Sequence, residues 1–473
     1  MTKTINVLFL AAEADPFIKV GGLGDVAGVL PRELRALSTD EVKLDVRLVL
    51  PKHPAVKAEN LRPVELFSVS RGGSEVGVEA FETSLDGMPV YFIDGDPIRA
   101  NGSVYSLDAK LDAEKYAFFA ISAVELTKHI NFQPDVIHAN DWHTALSVYV
   151  NLTKRWEAGA KHVAGIITLH NLPFMGSDMS AIIESYGIKL AQTDLPDWAR
   201  VLPMPLGMWA SDAIVAVSPG YAGEVLTEEF GCGLQEFLSQ RKDTLSGILN
   251  GIDTVSFDPS VDKALGVNYT VDSLKLRAEN KELLQGKLGL ARNPHVPLLG
   301  IISRMDVQKG IDLAISALKS MKNVNFQAVI LGTGDPKLEE SARELQTLFP
   351  EKIRTETRFD ANLARQIYAG SDMILMPSRY EPCGLAQMIA MRYGCVPVVR
   401  AVGGLKDTVI QNETGFTFEK AHHLSLAGAV KTAIKAYADG EKWAVLQRNG
   451  MMRDFSWQAS AKKYLDLYES LLK

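Results

Sequence analysis

Two short runs carry residue types suited to holding a diphosphate and to contacting sugar hydroxyls. After the apolar stretch Leu298–Ile302 comes Ser303-Arg304-Met305-Asp306-Val307-Gln308-Lys309-Gly310. Arg304 offers a bidentate fork and Lys309 a point charge, a pair suited to a diphosphate. An isolated Arg/Lys pair is ordinarily a solvated surface, and its place after a buried strand is what favours the functional reading. The second run is Met376-Pro377-Ser378-Arg379-Tyr380-Glu381-Pro382-Cys383-Gly384-Leu385. Glu381, between Tyr380 and Pro382, is held stiffly, as a residue contacting sugar hydroxyls would need to be. A helix is expected from about Gly384, so that Cys383, Gly384 and Leu385 could present backbone N–H groups at its start. Cys383 could there be a reactive thiolate. No Cys/His pairing accompanies it, so it is read as packing or backbone placement.

Two Gly-Gly turns add to this. Lys19-Val20-Gly21-Gly22-Leu23-Gly24-Asp25 follows the first apolar run, and Arg400-Ala401-Val402-Gly403-Gly404-Leu405-Lys406-Asp407-Thr408 repeats its GGLxD pattern late in the chain. Consecutive glycines let backbone N–H groups face an anion at a helix's positive end, and Lys19 would add a formal charge. Tight strand-to-helix turns need glycine anyway, so the residues alone leave both readings open. The spacing is not GxGxxG, the second strand ends Leu50-Pro51-Lys52 without an acidic ribose partner, and no GK[ST] follows. A dinucleotide site and a P-loop are thereby set aside.

His170, in Thr168-Leu169-His170-Asn171, ends one apolar run, and Asp141-Trp142-His143 ends another. A lone histidine at a strand end is usually structural; two such ends in one domain point to a polar pocket at the top of a sheet. Asp94-Gly95-Asp96 looks like a metal-binding DxD, but a three-residue match in 473 is cheap. The adjacent His422 and His423 lack partners at metal-ligand spacing. No metal site is expected.

These residues need strands to position them. Apolar runs recur at Ile5–Ala11, Val46–Leu50, Asp135–His138, Val163–Leu169 and Ala213–Val217, then at Leu298–Ile302, Phe326–Leu331, Met373–Met376 and Val396–Val399. Strands apolar throughout must be covered on both faces, which means parallel sheets in βαβ units. Gly251–Ala278 lacks a long periodic run, and the domain boundary is placed near residue 263. The expected organisation is α/β: a doubly wound domain over 1–262, another over 263–454, and a C-terminal amphipathic helix within 455–473 that returns to the first, its apolar residues at helical spacing from Trp457 to Leu472. Two such sheets would form a cleft, and sites in these folds lie at the carboxyl ends of strands.

Composition excludes other classes. With 473 residues, 47 % of them hydrophobic and 23 % charged, the chain can build two large cores. Its 50 Lys+Arg against 57 Asp+Glu, a formal charge of −7, leave no basic excess to recruit nucleic acid. Three scattered cysteines suit a reducing, cytoplasmic setting. No apolar run is long enough for a membrane span, and the apolar start is too short for a signal segment, with Glu13 and Asp15 directly behind it.

KVGGLGD, HANDWHTAL, TLHNLPFMG, VSPGYAGEVLT, GILNGID, SRMDVQKG, PSRYEPCGL and RAVGGLKDT occur here in this order. Together they resemble the bacterial glycogen synthases and plant starch synthases that use ADP-glucose, and the likeness runs through Asp454–Trp457. The resemblance implies the GT-B fold, two Rossmann-like domains facing across a deep cleft. It implies retaining transfer of glucose from ADP-glucose to the non-reducing end of glycogen or another α-1,4-glucan, with no metal and no cofactor. It places Lys19, Gly21 and Gly22 near the donor's glucose and diphosphate, Arg304 and Lys309 on the leaving diphosphate, and Glu381 on glucose hydroxyls. His170 would lie beside the reacting carbon, its backbone carbonyl facing developing positive charge, and Phe359 would stack on the donor base. Asp25, Asp141, Asn171, Tyr380, Cys383, Gly384, Leu385, Gly403 and Gly404 complete the expected donor site. No second carboxylate stands out as a nucleophile, unlike the paired acids of retaining hydrolases, so front-face transfer is favoured. Three departures from the family pattern stand out: Ala386 where Thr is usual, Phe257 in place of Trp after NGID, and Lys115-Tyr116-Ala117-Phe118-Phe119 for RFAFF. They leave donor base and acceptor preference open. The rivals are a UDP-glucose-dependent or other GT-B glucosyltransferase and an inactive glucan-binding homologue.

Overall fold

The computed structural model describes residues 3–39, 41–100, 102–155 and 161–473. The chain divides into two compact units, Met1–Gly251 with Trp457–Lys473, and Ile252–Ser456.

Among the described residues the first unit carries nine strands: β1 Lys3–Leu10, β2 Val42–Pro51, β3 Arg62–Arg71, β4 Ser74–Leu85, β5 Met88–Asp94, β6 Val136–Asn140, β7 Ala164–Leu169, β8 Ala213–Ala216 and β9 Leu245–Gly247. They form one sheet in the order β3-β4-β5-β2-β1-β6-β7-β8-β9. All pairs from β5 to β9 are parallel, and apart from the partly exposed edge strand β9 their strands are buried along most of their length, as two-sided cover by helices demands. The β3–β4 hairpin is an antiparallel extension that the sequence reading lacked. β3 is largely exposed and β4 mostly half-buried, and both are interrupted by Glu, Ser or Arg, so they carry no continuous buried apolar run to signal them.

The second unit has β10 Leu298–Ile302, β11 Gln327–Leu331, β12 Ile353–Glu356, β13 Met373–Met376, β14 Val396–Arg400 and β15 Phe416–Phe418 among its described residues. These make an all-parallel sheet in the order β12-β11-β10-β13-β14-β15. Both units are therefore doubly wound α/β domains with a reversal of strand order, at β1/β6 in the first and at β10/β13 in the second. Ligand crevices open at such reversals, beyond the carboxyl ends of the strands.

The break between units falls at Gly251, ahead of the expected boundary at 262. Residues 252–262 belong with the second unit for a physical reason. Asp262, 8 % exposed, accepts from the Tyr393 hydroxyl at 2.5 Å and from Arg365 at 3.1 Å, and Asp258 pairs with Arg392 at 3.1 Å. The C-terminal helix Trp457–Leu471 buries Trp457, Ala461, Tyr464 and Tyr468 in the core of the first unit. There the Tyr468 hydroxyl meets His138 Nδ1 at 2.7 Å, while His138 Nε2 meets Thr168 Oγ1 at 2.7 Å. No described helix is long and apolar enough to cross a membrane.

Candidate active site

In the second unit the loops after β10 and β13 meet. Lys309 stands just before Gly310, the left-handed residue that opens the helix Ile311–Ser320. A Cβ on Gly310 would run into the Pro377 carbonyl, so glycine is what lets the two loops touch. The contact brings Lys309 Nζ to 2.7 Å from both carboxylate oxygens of Glu381. Glu381 is 4 % exposed, and Ser378 Oγ donates to its Oε2 at 2.8 Å. Arg379 locks the same junction, pairing with Asp312 through two 2.7 Å bonds and donating to the Val307 carbonyl. Gln308 donates to the Tyr380 carbonyl at 3.2 Å. Arg304 stands apart from this pair: its side chain is 68 % exposed and lies 3.4 Å from Asp306. A cavity of about 160 Å³ reaches Lys309, Glu381, Ser303 and Ser378, with Ile302, Met376, Leu385 and Ala386 as apolar wall.

Two expectations are corrected here. The helix after Glu381 starts at Ala386, with Leu385 as its cap, so Cys383 and Gly384 lie in the preceding turn, where Gly384 is left-handed. Cys383 is buried and forms no disulfide among the described residues. Gly403 and Gly404 serve close packing: a Cβ on either would strike the backbone of Glu381 or Cys383, and Gly404 N–H donates to the carbonyls of Glu381 and Pro382 at 3.2 Å. Beneath them Gln387, fully buried, donates to the carbonyls of Cys383 and Gly384 and lies 3.2 Å from Thr408 Oγ1. Phe359 projects into solvent, 87 % exposed, ahead of the helix Ala361–Gly370.

In the first unit, the turn after β1 and the ends of β6 and β7 hold the remaining residues. Lys19 Nζ lies 2.5 Å from Asp25 and 3.8 Å from Asp15. The anion that the glycine turn faces is the protein's own. Glu13, 1 % exposed, accepts from the N–H groups of Val20 and Gly21. Gly22 is the first residue of the helix Gly22–Ala36, with open space where a Cβ would stand. Asp141 follows β6 in the left-handed region and accepts from the N–H groups of His170 (2.7 Å) and Asn171 (3.2 Å) across the neighbouring strand end. Burial pushes its carboxyl up to about 7, a rise that the two N–H donors oppose and the nearby Glu13 charge reinforces. Asn140 Nδ2 donates to the Leu10 carbonyl at 2.9 Å, which turns its Oδ1 towards His170 Nε2, also at 2.9 Å. His170 must therefore carry its proton on Nε2, and with its N–H held by Asp141 both the ring and the peptide are fixed. Asn171 Oδ1 is buried without a partner among the described residues.

Sequence reasoning missed Glu13, Asn140, Tyr105 and Ser378. For Glu13 the signal was an acid directly behind an apolar strand; the others are ordinary polar residues whose roles depend on what faces them. Of the decoys, Asp94 is taken by Lys52 and Arg99, each at 3.1 Å, and His422 caps the helix His423–Tyr437. Among the described residues no three His, Cys, Asp or Glu side chains gather as a metal site would need.

Four histidines of the first unit are held neutral. Burial lowers His53 to about 4, His138 and His170 to about 3, and His143 well below its ordinary value, with Lys115 adding to the effect on His53 and His143. The unfolded chain takes up these protons below about 6.5 and the native one does not, so stability is full above that pH and falls as pH drops. Asp141 acts in the opposite sense, since the native state holds its proton from about 7 down to the ordinary 3.8 while the unfolded state does not. It offsets about one of the four. At about 1.4 kcal/mol per group and pH unit, urea unfolding at pH 5.5 should give a free energy roughly 3 kcal/mol below that at pH 7.5. An unchanged value would remove these groups from the acid response.

Two doubly wound units with polar residues gathered at each strand-order reversal match the two-Rossmann-domain, GT-B architecture of glycosyltransferases. The starch synthase catalytic domain family matches residues 6–240, and the glycosyl transferases group 1 family matches residues 289–450. The chain is 39 % identical to the glycogen synthase of Clostridium novyi (strain NT) over 489 aligned positions, covering 99 % of each chain. It is 39 % identical to that of Streptococcus sanguinis (strain SK36), covering 99 % of this chain and all of the relative. Among solved structures, the catalytic domain of starch synthase IV from Arabidopsis thaliana, bound to ADP and acarbose, superposes with a TM-score of 0.88 at 32 % identity, covering 99 % of both chains. A sucrose-phosphate synthase from Thermosynechococcus elongatus shares the fold at 19 % identity and a TM-score of 0.64, again over 99 % of both chains. The chain belongs to the glycogen synthase and starch synthase family of glucosyltransferases.

Proposed function

We propose that this enzyme transfers glucose from ADP-glucose to the non-reducing end of an α-1,4-glucan, with retention of configuration, releasing ADP. The observation that carries the reading is the buried Glu381 bridged by Lys309 at the strand reversal of the second unit, with the exposed Arg304 on the same loop as Lys309. An ammonium has three N–H donors. Two face Glu381, which leaves one for a phosphate oxygen, and the exposed Arg304 guanidinium would leave Asp306 to join it there. Glu381, fixed by Lys309 and Ser378, keeps lone pairs for the hydroxyls of the glucosyl unit. The C1–O bond to the diphosphate breaks as positive charge grows on the ring, and the His170 carbonyl, on a peptide held by Asp141, is suited to face that charge. The acceptor's 4-hydroxyl attacks from the face the diphosphate leaves, and its proton passes to the departing phosphate oxygen. Arg304 and Lys309 supply the positive charge that a metal ion would otherwise bring. ADP bound to the starch synthase IV relative supports ADP as the leaving group, and the exposed ring of Phe359 offers a face for its base.

The test is a donor screen on glycogen, following nucleotide release and chain elongation. ADP-glucose should exceed UDP-glucose at least tenfold in kcat/KM. Preference for UDP-glucose would overturn the donor assignment, and glycogen binding without nucleotide release would overturn the enzyme.

A further inference from the structure

The glycine turn after β1 presents N–H groups to an anion, and that anion is already in place. Glu13 ends the segment that follows β1. Its Oε2 accepts from Val20 N–H, both its oxygens lie 3.0–3.1 Å from Gly21 N, and Oε1 accepts from the Tyr105 hydroxyl at 2.7 Å. The carboxylate fills the turn so closely that a Cβ on Gly24 would lie 3.2 Å from Oε2. Among the described residues no cation pairs with it, so its charge rests on these three donors, the usual requirement for a buried carboxylate.

Tyr105 is itself delivered by a separate anchor. Lys115, whose side chain is fully buried, donates to the carbonyls of Ser103 and Val104 at 2.9 and 2.8 Å. The Tyr116 hydroxyl donates to Val104 at 2.6 Å, and Ser106 N–H donates to Asp112 at 2.9 Å. The start of the helix Ala109–His129 thus ties down residues 103–106 and sets Tyr105 against Glu13. Three segments converge on one carboxylate: the stretch just after β1, the glycine turn that carries Lys19, and the 103–106 loop.

We propose that Glu13 is a positioning residue, an internal anion that fixes the glycine turn and Lys19 for glucosyl transfer and withholds the Val20 and Gly21 N–H groups from the donor's phosphates. The catalytic part of this inference rests on the glucosyltransferase reading above; the structural part does not.

The experiment uses the full-length chain with Glu13→Gln, Glu13→Ala and Tyr105→Phe. Glu13→Gln keeps the volume and removes the charge. It should lower kcat at least tenfold while leaving the KM for glycogen within twofold, and should speed amide hydrogen exchange at Val20 and Gly21 at least tenfold. Glu13→Ala should lose as much, and formate, which fits the vacated space, should restore part of kcat where chloride at equal ionic strength does not. A residue that merely holds the fold would not show that rescue. Tyr105→Phe should act in the same direction by a smaller factor, and combining it with Glu13→Gln should add little, because Tyr105 acts through Glu13. A kcat for Glu13→Gln within twofold of the parent, or unchanged exchange at Val20 and Gly21, overturns the proposal. If the parent releases no nucleotide from ADP-glucose, the donor reading has failed and the exchange rates still decide the fate of Glu13. If the Glu13 variants do not fold, Tyr105→Phe decides by the same kcat and exchange measurements.

Discussion

Replacing Arg304 or Lys309 with alanine is expected to cost roughly 10²–10³ in turnover each, the scale of a lost donor to charge developing in a transition state. The two variants should part company in stability. Arg304 is 68 % exposed and touches Asp306 at 3.4 Å, so its removal should leave the melting temperature unchanged. Lys309 is mostly enclosed and is the cation on a buried carboxylate. Its removal leaves Glu381, among the described residues, with Ser378 as its remaining side-chain donor, and breaking such a pair is costly even where the pair itself contributes little. The Lys309 variant should therefore melt earlier as well as turn over slowly. Near-normal turnover in both variants, with folding intact by circular dichroism, would reject the assignment of these cations to the leaving group.

Glu381→Gln should lower kcat by about 10² while changing donor KM little, because the contact proposed for it with the glucosyl hydroxyls would matter most as charge builds in the transition state. The amide keeps the size and the Ser378 contact, so the loop held by Gly310 and Gly403 should stay in place. It removes the charge that orients Lys309, however, so the Lys309→Ala and Glu381→Gln effects should not add: the double variant should lose little more than the worse single one. A variant whose kcat is unchanged and whose KM alone rises would show that Glu381 binds substrate uniformly. Full additivity would show that the two side chains act separately despite standing 2.7 Å apart.

The apolar runs were legible as parallel strands because burial on both faces imposes a composition that survives in one dimension: Leu298–Ile302 and Met373–Met376 are strands with the bounds read from the sequence, and Trp457–Leu471 is the helix its spacing promised. Strands without that composition were invisible, as with β3 and β4. Residue type also marked Arg304, Lys309, Glu381 and His170, since charge and stiffness at the end of a buried strand are local properties. Their mutual arrangement was not local. Lys309 and Glu381 are 72 positions apart, and they meet because β10 and β13 pair in parallel, Leu299 opposite Met373, so that the two following loops leave the same edge of the sheet. The glycine turns show the same divide. Their sequences announced a tight turn that could cradle an anion, and nothing in them could say that Glu13 fills the first or that the Glu381 backbone lies against the second. A glycine states what the chain can do at one position; which neighbour takes the space is settled by packing, and packing is a property of the folded chain.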